Sequence, residues 1–335
     1  MKSYGVFTLT INPNFIFMFK LFSSNQTFVL FLLPIIPMGN LVLEYFYPTL
    51  IASEKFHTNL WLIQPQGTFN WLLGCLAVFF LSLNGMLVNS IFNRNEFYDK
   101  NTYLPSLIYV IIACLFPLSV LFNGEALAHT FLILMIAQLF RLKQNEDGRA
   151  ASFFSAFFLG VAVTLNPIYM MMLPFLWMSI ARIRPFILRE YALTAFGISI
   201  PMLYLFYANP EFHTRLLFFG AKLNFLQFNG FLLWIPYVVV LILLGISYKS
   251  IISRLPKSTI RYKRLLSIVI FVFLFTLITA LATTYVYNTS YYLAPGAIVL
   301  ALILPYAYLD SRAPLVVSAL FYLIIVVNVL KFVLI

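Results

Sequence analysis

An all-α polytopic transmembrane bundle of about eleven spans, N-terminus inside and C-terminus outside, is the fold class this sequence predicts. Three observations predict it. The 335 residues are 62% hydrophobic and 9% charged, with a mean hydropathy of +0.95, so the chain is too apolar to cover itself with a water-facing surface. Apolar stretches long enough for a bilayer core, each roughly 20 residues or somewhat shorter, recur along the whole chain. And 17 of the 21 Lys and Arg residues fall on one side of a single consistent threading, leaving only Lys55, Arg215, Lys222 and Lys331 on the other.

The stretches run approximately over residues 27–47, 70–91, 104–120, 124–141, 151–165, 168–183, 191–207, 229–247, 265–286, 292–309 and 314–334. The fifth and sixth are short and are joined by Asn166-Pro167, so they read either as two spans or as a re-entrant hairpin. Residues 13–22 read as an interfacial helix on the inner leaflet. Met1 to Asn14 lacks the basic start, apolar core and small-residue site of a signal peptide, so the first span is expected to be an uncleaved anchor. Positive loops stay in the cytoplasm, which gives the orientation of a multi-pass protein.

The loops are too short to bury cores of their own, so residues 1–335 read as one integral membrane domain with no soluble domain. No phosphate-cradling glycine motif occurs, no cofactor is implied, and three histidines without tight spacing give no metal signature. Topology and lipid contact account for the net charge of +11, so no nucleic-acid partner is called for. Lys249 to Arg264 carries six cations and no acid and is expected to rest against anionic headgroups. Membrane lipids are thus the first partners expected. Cys75 and Cys114 both lie inside spans, and nothing in the sequence supports a disulfide between them.

Glu96, Asp99, Glu146, Asp147, Glu190 and Asp310 read as solvated inner-loop charges. Glu44, Glu54, Glu125, Glu211 and all three histidines, His57, His129 and His213, fall on the outer side or at outer span ends, so any proton chemistry concentrates there. Glu125 and His129 are four apart on one helical face. They mark either a polar cavity or a dipole-stabilised helix start after Asn123-Gly124. Arg215 and Lys222, seven apart, either present two cations to a lipid phosphate or belong to a helix that covers the bundle, with Glu211 and Arg215 as an i,i+4 pair.

Asn93-Arg94-Asn95-Glu96, Lys100-Asn101-Thr102-Tyr103-Leu104-Pro105, Phe116-Pro117, Leu159-Gly160-Val161-Ala162, Asn166-Pro167, Arg184-Pro185-Phe186 and Arg189-Glu190 together resemble an uncharacterised family of bacterial polytopic inner-membrane proteins. More distantly, the small-residue span followed by a proline-broken one, Gly160 to Pro174, resembles the GT-C-like membrane glycosyltransferases that use polyprenyl-phosphate sugar donors. That resemblance implies Glu54 or Glu44 as the base that takes a proton from an acceptor hydroxyl. It implies Arg215 and Lys222 as holders of the lipid-phosphate leaving group. The alternative expectation is a non-catalytic subunit or assembly factor of a cell-envelope or secretion complex, packed on envelope protein partners.

Overall fold

The computed structural model describes residues 17–46, 71–116, 125–144, 146–208, 234–287, 295–311 and 313–334. Among them every regular element is helical. Each apolar stretch read from the sequence contains a helix in its described part. Four helical segments, Thr27–Phe46, Trp71–Arg94, Ile235–Lys257 and Ile260–Thr279, are long and apolar enough to cross a membrane. In such a solvent a helix is the natural solution, because it satisfies its own backbone hydrogen bonds.

The described residues begin with α1 (Phe17–Ser23), a 3-10 turn (Thr27–Leu32) and α2 (Ile35–Phe46). α1 does not simply lie on a surface: Phe19 and Phe22 are buried, and Phe19 stacks on Phe321 at 4.9 Å. Then come α3 (Trp71–Arg94), α4 (Leu104–Ala113) and α5 (Glu125–Arg141). α4 is the centre of the bundle, with every one of its residues buried. It is far shorter than the stretch of residues 104–120, since the backbone leaves the α-helix after Ala113 and turns through Cys114 to Phe116.

α6 (Arg149–Leu165) runs to Asn166, where the backbone is extended, and a 3-10 turn (Pro167–Met172) leads into α7 (Leu173–Ile183). Pro167 has no N–H to continue α6, and the Asn166 side chain caps the new turn by accepting from the Ile168 N–H at 3.2 Å. Arg184, at the end of α7, donates to the Lys143 carbonyl at 3.1 Å, in the loop that precedes α6. The pair is therefore a hairpin whose two open ends meet the same loop and whose tip is Asn166.

α8 (Leu188–Ala208) packs closely along α6. A Cβ on Gly197 would meet the Phe153 carbonyl oxygen at 2.6 Å, and one on Gly160 the Ile198 carbonyl oxygen at 2.9 Å. Small residues at these crossings bring backbones together, the usual means of packing helices where lipid removes the hydrophobic drive. The remaining helices are α9 (Ile235–Arg254), α10 (Ile260–Tyr287), α11 (Gly296–Ile303), α12 (Pro305–Leu309) and α13 (Pro314–Leu334). Interhelical amides bind the far elements: Asn40 on α2 donates to the Cys114 carbonyl at 3.3 Å and accepts from Asn328 on α13 at 3.0 Å.

The cationic loops gather at one end. Arg254 at the end of α9 grips Asp310 through Nε and Nη2 at 2.7 and 2.6 Å, reaches Asp99 at 3.4 Å and lies 4.3 Å over the Tyr98 ring. Tyr98 donates to Asp310 at 3.1 Å, and burial, followed by the nearby Asp310 carboxylate, pushes its phenol above the ordinary value, so it remains a donor. Two of the acids expected to be solvated are withdrawn from solvent, one in part and one almost wholly. The Asp310 side chain is 19% exposed and Glu190 4%, because each is drawn onto an arginine by helix packing. Arg254 is likewise diverted from the lipid contact expected of the whole Lys249–Arg264 segment.

Candidate functional site

Inside this apolar bundle stands a cluster of polar side chains built around Glu125, the first residue of α5, which is fully buried. One carboxylate oxygen accepts from the Asn166 amide at 3.0 Å, and the other from the Tyr169 hydroxyl. His129, one turn along α5 and also fully buried, has Nε2 3.9 Å from Glu125 Oε1, inside Coulomb reach but beyond a hydrogen bond. Its Nδ1 shares a hydrogen bond with the Tyr109 hydroxyl of α4 at 3.1 Å. Nε2 makes no hydrogen bond among the described residues.

One turn further in, Thr130 donates to Asn84 on α3 at 2.7 Å, and Asn84 donates to the Ala126 carbonyl at 2.7 Å. The same pairing sets α5 alongside α3 and leaves the Glu125 carboxylate toward the Trp71 end of α3. The tip of the α6–α7 hairpin reaches it there and supplies both donors.

Burying a carboxylate in an apolar bundle is costly unless its oxygens are bonded. Here two donors from the hairpin offset that cost. Chemically the cluster can hold one charge or one proton: Glu125 accepts, and His129 Nε2 is open to a further donor or acceptor. Glu125 stands in the first turn of α5 with its carboxylate bonded to Asn166, and Asn123-Gly124 lie outside the described residues.

Glu44 is the other deeply placed carboxylate, fully buried in the last turn of α2, one turn beyond Asn40. Leu41 of the same turn packs on Gly74, so Glu44 belongs to the Trp71 end of α3, opposite the cationic loops. Glu54, Arg215 and Lys222, together with His57, Glu211 and His213, lie outside the described residues. No three His, Cys, Asp or Glu side chains converge on a metal-sized site among the described residues; Cys75 is exposed and Cys114 buried.

The sequence missed Asn166, Tyr169, Tyr109, Asn84 and Thr130 as members of the site. Asn166-Pro167 was visible as a break, but only the packing of α6 and α7 against α5 turns its amide toward Glu125.

Among the described residues the elements are helical, and the four helices long and apolar enough to cross a membrane mark a membrane protein. No protein-family model matches the chain, and no curated protein or solved structure matches it either.

Proposed function

We propose that the chain is an eleven-span protein of the bacterial inner membrane, N-terminus inside and C-terminus outside, with residues 1–335 forming one membrane domain. Its activity in this reading is that of a glycosyltransferase-like protein handling a polyprenyl-phosphate-linked sugar at the outer face. The observation that supports it is the placement of Glu44 and Glu125, two fully buried carboxylates in the part of the bundle remote from the cationic loops. Buried carboxylates in a membrane bundle are expensive and mark functional sites by default.

Glu54 or Glu44 is the base that takes the acceptor proton. Arg215 and Lys222 hold the phosphate that departs, and Glu125 with His129 forms the polar floor beneath. A second reading, a non-catalytic subunit of an envelope complex, is favoured by one observation: Glu125 already accepts from both Asn166 and Tyr169, as a structural lock would.

Reconstitution of the full chain with radiolabelled polyprenyl-phosphate hexose separates the two. Release or transfer of the sugar is expected from the wild type. Loss of a general base lowers the rate about 10²- to 10⁴-fold, so Glu54→Gln or Glu44→Gln is expected to fall by that factor at unchanged folded abundance. An inert wild type, or variants as active as it, transfers the weight to the scaffold reading.

A further inference from the structure

At the cationic end, between the last turns of α3 and α5 and the first turn of α10, the bundle forms an open pocket of about 610 Å³. Arg94, Arg141, Lys143 and Arg261 line it, with Glu146 as the single acid. Glu146 is occupied by Lys143 Nζ at 2.5 Å. Arg141 reaches only the Gln138 amide oxygen and Arg261 only that of Asn95, each at 3.4 Å. Arg94 has no ion pair among the described residues.

An ordinary role accounts for part of this. A cation in the last turn of a helix is stabilised by the negative end of the dipole, which serves Arg94 on α3 and Arg141 on α5. It does not serve Arg261, in the first turn of α10, where the dipole end is positive and repels a cation. Two helix ends at about half a charge each also leave roughly two of three guanidinium charges unbalanced. All three arginines are exposed at the mouth of the pocket, where they can meet an anion from outside the chain.

The wall below the arginines is apolar, formed by Leu87, Ile91, Ile133, Leu134 and Phe140. Guanidinium groups match the oxygens of a phosphate two at a time, and an apolar wall beneath them suits a hydrocarbon chain. We propose that this cavity binds a phosphate headgroup carried on an apolar chain, with the phosphate between Arg94, Arg141 and Arg261 and the chain lying along α3 and α5. The site is separate from the Glu125 cluster and holds whether or not the protein handles a sugar donor.

Calorimetric titration of the full-length protein in a nonionic detergent tests it, with dihexanoyl phosphatidic acid, dihexanoyl phosphatidylcholine and inorganic phosphate as the three ligands. Phosphatidic acid is expected to bind once per chain and at least about tenfold more tightly than either of the others. Arg94→Gln/Arg261→Gln is expected to weaken it about tenfold or more at an unchanged melting temperature, and Arg149→Gln, which removes a cation outside the cavity, to leave it alone. If the double variant does not fold, Ala137→Trp carries the test, because it fills the apolar wall and is expected to abolish phosphatidic acid binding. Equal binding of phosphatidylcholine, or full binding by the folded variants, overturns the proposal. Inorganic phosphate binding as tightly as phosphatidic acid identifies a free anion as the ligand and overturns the role of the chain.

Discussion

Arg184→Ala is expected to destabilise the folded protein by about 3–5 kcal/mol, the range found when one partner of a buried ion pair is removed. Arg184 Nη2 lies 3.2 Å from Glu190 Oε1, and the two side chains are only 8% and 4% exposed. Its Nη1 also bonds the carbonyls of Lys143 and Glu146, so one guanidinium joins the α5–α6 loop to the start of α8. Gly148 makes room for it, since a Cβ there would come within 2.5 Å of Nη1. The alanine variant leaves Glu190 as a buried, uncompensated carboxylate and frees two loop carbonyls. Replacing both partners, Arg184→Met/Glu190→Leu, removes the stranded charge and is expected to recover most of the loss. Thermal or denaturant melting in detergent reads the effect. A cost for Arg184→Ala below about 1 kcal/mol, the value of a surface pair, would mean that water reaches this pair.

Glu125→Leu carries the second large effect. It removes the carboxylate that both Asn166 and Tyr169 donate to inside the bundle, at a cost of about 1–3 kcal/mol. Glu125→Gln keeps one acceptor oxygen in place and is expected to cost less than half as much. The ordering of the two variants in a melting series is the informative quantity. Equal stability of leucine and glutamine at this position would show that the two hydrogen bonds contribute nothing to holding the hairpin tip against α5. Because Asn166 also caps the turn that begins α7, Asn166→Ala is expected to resemble Glu125→Leu, with non-additive effects when combined.

How much of this was legible beforehand differs by level. The helical stretches were, because the bilayer demands contiguous apolar runs and the chain has few other places to put charge. The gathering of Arg94, Arg141, Arg254 and Arg261 at one end follows from the same count of spans, and the structure brings these loops together. Side-chain partnerships were not legible. Glu125 and His129 were paired by their spacing of four, but Asn166 and Tyr169 arrive from 41 and 44 residues away, and nothing local says which way a hairpin tip will face. Glu190 reads as a loop acid because it sits among arginines in sequence. Its burial depends on Arg184 folding inward under Gly148, a tertiary event. The short α4 is the same lesson at the level of length: residues 104–120 are apolar throughout, yet the α-helix stops at Ala113.

Native mass spectrometry of the gently solubilised full-length protein tests the central proposal most directly. The account predicts a co-purifying polyprenyl-phosphate lipid on the wild type and its loss in Arg215→Ala/Lys222→Ala. Bulk phospholipid alone on the wild type, or a carrier that persists in the double variant, would contradict it, and a co-purifying protein in its place would make the envelope-subunit reading the leading one.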